Sequence, residues 1–296
     1  MWALSLLTAF ITALAIPGLP SEAADPPPWV RISYVSFGTL HPDTPLTVAG
    51  RLMVPRNAPG KVPAVLIVHG SAGPDSRGPL MAEALTKTDI ATLEIDMWAP
   101  RGLTGGPTGR PRRVTETLPD AFGALKFLAS HPAIDLERIG ITGFSWGGVV
   151  SMLTASKPLA DQYGPPGLRF KAHAPFYPAC WVYNNEQLPE PKPIFKELTG
   201  APVFIQGGEL DTYDAPDSCQ KLVDSLPEAS RALVRLKMYP GVTHGFDSTA
   251  PERVSMDSAA NLGRGGEVRM TPNPAVAATA REATAKFFSE VFGLSN

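Results

Sequence analysis

The amino-acid sequence predicts an α/β fold built on a doubly wound, mostly parallel β-sheet with antiparallel strands at its beginning. Three observations support this prediction. Two segments near the start alternate apolar and polar residues, which is typical of antiparallel strands with one buried face. Pro63–Gly70 is a nearly continuous apolar run, as in a parallel strand buried on both faces. Helix-like and strand-like segments then alternate, which favours a parallel sheet covered by helices.

The individual elements follow from residue periodicity. For example, the apolar stripe formed by Phe122, Leu125 and Leu128 indicates a helix. The chain shows no internal repeat and no linker, so residues 25–296 are predicted to form a single domain. The predicted strands are Val30–Phe37, Leu46–Pro55, Pro63–Gly70, Ala91–Asp96, Ile139–Thr142, Phe170–Ala174, Val203–Gln206 and Arg235–Tyr239, and the predicted helices are Leu80–Thr86, Leu118–Ala129 and Ala275–Phe292.

Residues 1–24 have the pattern of a secretory signal peptide. An uncharged apolar run over residues 2–16 ends at Pro17-Gly18, and the triplets Ser21-Glu22-Ala23 and Glu22-Ala23-Ala24 both end in small residues, as a cleavage site does. No lysine or arginine precedes the apolar run, so an uncleaved membrane anchor is the alternative. The pattern predicts a periplasmic or secreted protein that has no membrane contact after the signal is removed.

Composition excludes several classes of partner. The chain has 26 basic and 28 acidic residues, so no strong field favours nucleic acid or an anionic membrane surface. It contains no H-E-x-x-H motif, no cysteine-histidine cluster and no G-x-G-x-x-G motif, so neither a metal nor a dinucleotide cofactor is implied. Small-molecule substrates are the expected partners.

A serine held between glycines follows the strand predicted at 139–142. Gly143, Ser145 and Gly147 form the G-x-S-x-G pattern of a nucleophile elbow, in which a strand turns sharply into a helix. The flanking residues must be nearly free of side chains because the strand and the helix approach each other closely there. A strand before the motif and an apolar helical segment after it supply the required context. Ser145 is therefore the predicted nucleophile.

A serine nucleophile needs an adjacent base. Chain order behind such an elbow runs serine, acid, histidine, which leaves His173 and His244 among the five histidines. His173 lies within an apolar strand-like run, where a core role is favoured. His244 follows the strand that ends at Tyr239, in a glycine-containing loop that could present an imidazole to Ser145. We predict His244 as the general base.

The third member of such a triad is an acid that orients the histidine. Asp211 fits, because it follows the strand predicted at 203–206 and the turn formed by Gly207 and Gly208. Glu209, Asp214 and Asp217 are competing candidates in the same stretch. Helix capping is the alternative role for these acids, and Asp214 stands before Ala215-Pro216, a common helix start.

Acyl transfer also requires hydrogen-bond donors for the developing oxyanion. The expected donors are the N–H group of Trp146, which follows the nucleophile, and that of Ser71 or Ala72 in the loop after an early strand. The alternative is that the loop from His69 to Gly73 is only a tight turn. Its position at the end of a buried strand favours the functional interpretation.

Residues just past the other strand ends are candidates for substrate binding. Arg101 could attract a substrate carboxylate, or it could form a structural salt bridge. Trp98, Trp181 and Tyr213, together with Trp146, could border the cleft or pack under the loops. Only Pro178–Gly200 precedes the strand that delivers the acid, and its prolines make part of it extended, so no large cap is expected.

The two cysteines, Cys180 and Cys219, are the only ones in the chain. An even number in an exported protein favours a disulfide. Both are predicted to fall in loops after neighbouring strands, close to the edge of the sheet that carries the candidate triad. We therefore predict that they form a disulfide bond.

Five segments at predicted strand ends carry a family resemblance: Val65–Gly73, Asp96–Gly102, Gly143–Gly148, Gly208–Asp211 and Thr243–Phe246. Their sequence and order resemble the successive signatures of the dienelactone hydrolase family, within the α/β-hydrolase fold. The family's name-giving enzymes have a cysteine at the elbow, where this chain has a serine, and a glutamate in the oxyanion loop that this chain lacks.

The residues and the resemblance together predict a serine hydrolase that cleaves carboxylic esters or lactones through an acyl-enzyme, without a cofactor. A peptidase or acyltransferase on the same fold is the nearest chemical alternative. A non-catalytic binding protein that keeps the fold is the alternative from a different functional class. A complete set of serine, acid and histidine argues against the binding protein.

Overall fold

The computed structural model describes residues 29–56, 58–185 and 194–294. The predicted signal peptide lies outside these residues. Within them, eight strands form one sheet. They are β1 (Val30–Gly38), β2 (Thr47–Pro55), β3 (Val62–Val68), β4 (Ala91–Asp96), β5 (Ile134–Phe144), β6 (His173–Phe176), β7 (Val203–Gly208) and β8 (Val234–Tyr239).

The strand order of the sheet is β1-β2-β4-β3-β5-β6-β7-β8. Strand β2 pairs antiparallel with β1 and β4, and every other neighbouring pair is parallel. This arrangement confirms the predicted fold class. The helices are α1 (Arg77–Thr86), α2 (Leu118–Ser130), α3 (Trp146–Ala155), α4 (Lys157–Tyr163), α5 (Ser218–Asp224), α6 (Glu228–Arg231), α7 (Ala260–Gly263) and α8 (Pro274–Phe292).

Strand β3 shows why its sequence is apolar throughout. All seven of its residues are buried. Leu66 and Val68 join the core cluster that contains residues of α2 and α3, whereas Val65 and Ile67 join the cluster that contains residues of α1 and α8. Successive side chains therefore enter two different cores, because residues alternate between the faces of a strand. Burying each such side chain contributes roughly 1.5–3 kcal/mol.

A second, two-stranded sheet was not predicted. It is a hairpin of β9 (Arg253–Asp257) and β10 (Gly266–Met270), which follows the loop that carries His244. In β9 only Asp257 is buried, and Val254 and Met256 are exposed. The strand therefore lacks the alternation of buried apolar residues from which strands are recognised in a sequence. The short helices α4, α5 and α6 were not predicted either, because segments of four to seven residues are too short to show the periodicity of a helix.

The segment between β6 and β7 contains no large cap in the parts that the structure describes. The described parts of this segment, 177–185 and 194–202, hold a short 3₁₀ turn at Cys180–Val182 and no longer helix. Among the residues that the structure describes, no helix combines the length and apolar character needed to span a membrane. The apolar run at residues 2–16 lies outside that part of the chain.

Candidate active site

Ser145 stands between β5 and α3 in a strained conformation. Its backbone φ is 53° and its ψ is −109°, a combination that costs a non-glycine residue on the order of 1–3 kcal/mol. The two glycines of the motif are sterically required. A Cβ at Gly143 would lie 2.4 Å from the backbone of Gly147, and a Cβ at Gly147 would lie 2.1 Å from the carbonyl oxygen of Val68. The close approach of strand and helix thus dictates the spacing of the motif.

The structure brings the three predicted triad residues together at the carboxyl edge of the parallel strands. The Nε2 atom of His244 lies 2.9 Å from the Oγ atom of Ser145. The Nδ1 atom of the same imidazole lies 2.7 Å from Oδ2 of Asp211. Asp211 follows β7 and His244 follows β8, so neighbouring strands position the acid and the base. The geometry suits a proton relay from hydroxyl to imidazole.

Both carboxylate oxygens of Asp211 have partners. Oδ2 faces His244, and Oδ1 accepts a hydrogen bond of 2.9 Å from the backbone N–H of Tyr213. Asp211 and His244 are only 8% and 3% exposed. The backbone N–H therefore fixes the carboxylate in the orientation that receives Nδ1–H, which leaves Nε2 as an acceptor for the serine hydroxyl.

The three competing acids either bind other partners or are exposed to solvent. Asp214 accepts hydrogen bonds from the backbone N–H groups of Cys180 and Trp181, at 2.7 and 2.8 Å. The alternative role that the sequence indicated for Asp214, a helix start before Pro216, is thus wrong, because α5 begins only at Ser218. Asp217 occupies the N-cap position of α5 without a side-chain cap bond and pairs with Lys221. Glu209 is exposed.

Asp214 should give the protein a measurable pH dependence of stability. Burial raises its pKa from 3.8 to about 6, and the charge of Asp211 adds to the shift. The native state therefore binds this proton more tightly than the unfolded chain, so the contribution of Asp214 to stability falls as pH rises from 4 to 6. Asparagine does not titrate. The difference in the free energy of unfolding between Asp214→Asn and the wild type should therefore change by roughly 2 kcal/mol in favour of the variant between pH 4 and pH 7.

Thermal unfolding of both proteins at the two pH values tests this expectation. The asparagine loses one acceptor for a backbone N–H group, but this penalty is the same at both pH values and cancels in the comparison. The difference in Tm between variant and wild type should move in favour of the variant by several degrees at pH 7. An unchanged difference would show that Asp214 does not titrate in this range.

The predicted disulfide is present and links Cys180 to Cys219. It joins the 3₁₀ turn at Cys180–Val182 to α5, the helix that follows the candidate acid, and both cysteines are buried. Cys219 lies within α5 rather than in a loop. The bond thus connects the segment after β6 to the segment after β7, on the side of the sheet edge that holds Asp211.

Reduction of this disulfide should lower thermal stability. Opening a cross-link between residues 39 positions apart restores conformational entropy to the unfolded chain, typically worth roughly 2–4 kcal/mol. The Tm should fall in the presence of a strong reductant, and a double Cys180→Ser, Cys219→Ser variant should show the same fall without it. Two free thiols by mass spectrometry, in protein isolated from an oxidising compartment, would refute the bond.

The candidate oxyanion donors belong to two segments, the start of α3 and the loop after β3. Trp146 is the first residue of α3, directly after Ser145, and Ser71 lines the cleft beside the triad. The carbonyl oxygen of Ser71 accepts hydrogen bonds from Trp98 Nε1 at 3.0 Å and from Gly106 N–H at 2.7 Å. Ala72 is exposed and does not line the cleft. Of the two alternative residues in this loop, only Ser71 lines the cleft beside Ser145.

His69 and His173 have structural roles. The backbone N–H of Met97 donates to Nε2 of His69, and Nδ1–H of His69 donates to the Gly70 carbonyl. Burial lowers the pKa of His69 to about 4, so the ring is neutral and ties the oxyanion loop to the end of β4. His173 is fully buried and its Nδ1 lies 3.0 Å from the Ser151 carbonyl oxygen.

Arg101 is a structural residue and not part of the cleft. Its guanidinium donates two hydrogen bonds to the fully buried carboxylate of Asp120, at 2.7 and 3.0 Å. It also donates to the carbonyl oxygens of Met97 and Glu116. These bonds fasten the loop after β4 to α2. Arg101 therefore forms the structural salt bridge that was its alternative role, and the prediction that it binds a substrate carboxylate is wrong.

The predicted aromatic residues divide into two groups. Tyr213 and Trp146 line the cleft, and the ring centroid of Tyr213 lies 4.4 Å from that of His244. Trp98 is 3% exposed and supports Trp146 from behind in an edge-on contact with a centroid distance of 5.5 Å. Trp181 does not line the cleft and packs beside Gly263. Trp98 and Trp181 therefore have the packing role that was the alternative for each.

The cleft beside Ser145 has a volume of about 380 Å³ and involves residues that the sequence did not reveal. Arg110 lines it and forms an ion pair of 2.8 Å with Asp257 of the hairpin. Tyr177 lines it with a positive φ of 36°, and its ring centroid lies 4.6 Å from that of His244. The hydroxyl of Tyr177 donates to Asp247 and accepts from Arg77.

The chain is similar to several known proteins. The chain is 29% identical over 209 residues to the protein Rv2307c of Mycobacterium tuberculosis, covering 69% of this chain and 70% of that protein. It is 36% identical over 126 residues to the uncharacterized peptidase YtmA of Bacillus subtilis, covering 42% of this chain and 44% of YtmA. The solved structure of Thermogutta terrifontis esterase 2 phosphorylated by paraoxon aligns with a TM-score of 0.62 at 14% identity, covering 91% of this chain and 96% of that one.

The esterase has too little sequence identity to show more than a shared fold. The family comparison is stronger, because the model of the dienelactone hydrolase family matches residues 48–292 and thus includes β3, the elbow and all three candidate triad residues. The sheet topology described above agrees with this match. The chain belongs to the dienelactone hydrolase family of the α/β-hydrolase superfamily.

Proposed function

We propose that this protein is a serine hydrolase that cleaves carboxylic esters or lactones through an acyl-enzyme and uses no cofactor. The observation that carries the proposal is the continuous hydrogen-bonded relay from Ser145 through His244 to Asp211, with heavy-atom distances of 2.9 and 2.7 Å. Membership of the dienelactone hydrolase family supports ester or lactone substrates. The strained backbone of Ser145 at the turn from β5 to α3 supports its role as a nucleophile.

The proposed reaction has two halves. Ser145 Oγ attacks the carbonyl carbon while His244 Nε2 accepts the hydroxyl proton, and the N–H groups of Trp146 and Ser71 stabilise the oxyanion. The tetrahedral intermediate collapses with cleavage of the carbon–oxygen bond, and His244 gives its proton to the departing alcohol. Water, activated by the same imidazole, then releases the carboxylic acid. Asp211 holds His244 in the required tautomer and stabilises its charged form.

Peptide hydrolysis is the nearest alternative, and the similarity to YtmA over 126 residues is the observation that favours it. The two reactions share the triad and differ in the bond that is cleaved. Parallel assays with p-nitrophenyl esters, lactones and aminoacyl p-nitroanilides separate them. Our proposal predicts that esters or lactones have the higher kcat/KM. Faster cleavage of the anilides would favour the peptidase.

A fluorophosphonate probe tests whether the relay is functional. T. terrifontis esterase 2 is phosphorylated by paraoxon, a related organophosphorus compound, which makes this class of probe suitable. We expect one label per protein molecule, located on Ser145, and no label on the Ser145→Ala variant or on unfolded protein. A folded wild-type protein that remains unlabelled would favour the non-catalytic binding protein.

We further infer that the protein is exported. The apolar segment at residues 2–16 and the disulfide support this inference, since disulfides persist in oxidising compartments. Amino-terminal sequencing of the protein from its native cell tests it. A mature chain that begins near residue 25 is expected, whereas a membrane-bound chain that retains residue 1 would support the uncleaved anchor.

A further inference from the structure

The residues that line the cleft include members of two separate apolar clusters and residues packed against them. Val149, Leu153, Val182 and Tyr183 line the cleft and belong to, or pack against, the largest core cluster, as does Val114. We call these five residues the apolar arm. The other wall contains Tyr213 and Ala259, which belong to the small cluster beneath the β9–β10 hairpin, together with Ser258. We call these three residues the hairpin end.

Helix α3 gives the apolar arm its direction and length. The N–H group of Val149 donates to the carbonyl oxygen of Ser145 at 2.8 Å, so Val149 lies one helical turn beyond the candidate nucleophile. Leu153 lies one turn further on the same face. With a rise of about 1.5 Å per residue, the arm extends roughly 12 Å along the helix from Ser145 to Leu153. This length suits a chain of several carbon atoms.

The side chains of the arm offer no charge to a substrate. Leu153 and Tyr183 are 2% and 4% exposed, and Val149 and Val182 are half-buried. The hydroxyl of Tyr183 donates to the carbonyl oxygen of Pro178 at 3.0 Å, and burial raises its pKa, so it stays neutral and presents its ring. The arm therefore favours apolar groups, which gain free energy by leaving water.

The charged groups of the cleft come from the segment between β4 and α2, which also supplies Val114 to the apolar arm. These groups are Arg110, Arg112 and Arg113. Arg110 is held by its ion pair with Asp257 and lies over the ring of Trp146 at 5.7 Å. Asp257 also accepts a hydrogen bond of 2.8 Å from the hydroxyl of Tyr213, which connects this loop to the hairpin end.

The position of His244 decides which half of an ester occupies the arm. His244 must give its proton to the departing alcohol, so the alcohol has to lie beside Nε2. The imidazole packs against Tyr213 at a centroid distance of 4.4 Å and against Tyr177 at 4.6 Å. Neither tyrosine belongs to the apolar arm, and Tyr213 belongs to the hairpin end. The alcohol therefore lies toward the hairpin end, and the acyl group extends along α3.

We propose that the apolar arm is the acyl pocket, and that the substrates are esters of straight-chain apolar carboxylic acids of medium length. This inference rests on the proposed function. In the acylation step, Ser145 Oγ forms a bond to the acyl carbon, the bond from that carbon to the alcohol oxygen breaks, and the serine proton passes through His244 to the alcohol. Water then attacks the acyl carbon while His244 accepts a water proton. The bond from the acyl carbon to Ser145 Oγ breaks, His244 returns the proton to Oγ, and the free acid is released.

The acyl-chain dependence of the wild-type enzyme is the first test. With p-nitrophenyl acetate, butyrate, hexanoate and octanoate the leaving group is constant, so kcat/KM reports the acyl group alone. We expect kcat/KM to rise by about two- to fourfold for each added methylene until the arm is full, because each methylene is removed from water in the transition state. In a series of acetate esters, lengthening the alcohol should have a smaller effect.

Variants of the arm provide the second test. Val149→Trp should fill the arm near Ser145 and lower the ratio of kcat/KM for octanoate to kcat/KM for acetate by about tenfold or more. The Val149→Ala variant, whose side chain is smaller, should remain folded. Its highest kcat/KM should occur at a longer acyl chain than in the wild type. The matched control is Ala259→Val at the hairpin end, which should alter the alcohol series and leave the acyl profile unchanged. Circular dichroism checks the fold of each variant.

The outcomes distinguish failure of the acyl pocket from failure of the proposed function. A flat acyl-chain profile, together with acetate hydrolysis that depends on Ser145, would overturn the acyl pocket and leave the proposed function intact. The acyl pocket would also be overturned if folded Val149→Trp slows acetate and octanoate equally, or if chain-length preference follows the alcohol. Ester hydrolysis that survives Ser145→Ala would instead overturn the proposed function.

Discussion

Replacement of Ser145 by alanine should lower kcat for a p-nitrophenyl ester by about four orders of magnitude or more, because removing the nucleophile of a triad eliminates the covalent route. The protein should remain folded. Alanine fits wherever the serine Cβ fits, and Ser145 Oγ has its hydrogen bond with His244 rather than with the core. Steady-state kinetics over a range of enzyme concentrations, with thermal unfolding as the check of folding, measures both effects.

The main error in such a measurement is contamination by wild-type enzyme. Pretreatment of the Ser145→Ala preparation with a fluorophosphonate removes this background, since only molecules with an intact serine react. Activity that remains within about tenfold of the wild type after this treatment would contradict the assignment of Ser145. A large loss of kcat with unchanged unfolding behaviour is the result that the structure predicts.

Replacement of Asp211 by asparagine should cost kcat up to about 10⁴-fold, although the side chains have nearly the same shape. The Oδ1 atom of asparagine would keep the hydrogen bond from Tyr213 N–H, so its amide nitrogen would face Nδ1 of His244. The amide then donates to Nδ1, the ring proton moves to Nε2, and Nε2 can no longer accept the proton of Ser145.

Asp214→Asn is the matched control for this variant. Asp214 lies three residues from Asp211 in the chain, but its carboxylate accepts from the backbone of Cys180 and Trp181 and does not contact His244. We expect its kcat to stay within about tenfold of the wild type. Equal losses in the two variants would contradict the distinction between the acid of the relay and its neighbour.

The nucleophile elbow could be predicted because its physical cause is local. The glycines at 143 and 147 are required by backbone contacts of 2.4 and 2.1 Å, and these contacts recur wherever a strand turns this sharply into a helix. His244 and Asp211 could be placed because parallel strands bring their carboxyl ends to one edge of the sheet. Strand β3 could be predicted because burial on both faces leaves a continuous apolar run in the sequence. The strand predicted at Phe170–Ala174 overlaps β6 only at His173 and Ala174, because the apolar run begins before the hydrogen-bonded pairing does.

Long-range side-chain contacts could not be predicted in this way. The partner of Arg101 is Asp120, and the hydroxyl of Tyr177 meets Arg77, which is 100 positions away in the chain. Such pairs depend on how loops from different elements meet. The β9–β10 hairpin was not predicted because it buries little apolar surface, although its Asp257 forms the ion pair with Arg110, which lines the cleft.

The acyl-enzyme itself offers the most direct test of the central claim. Wild-type protein mixed with a p-nitrophenyl ester and quenched in acid within milliseconds should carry one acyl group, found by mass spectrometry on the peptide that contains Ser145. Its formation should accompany a burst of p-nitrophenol whose amplitude equals the enzyme concentration when deacylation is the slower step. Turnover of the ester with no acylated peptide under conditions that give a burst, or with the acyl group on another residue, would contradict the proposed mechanism.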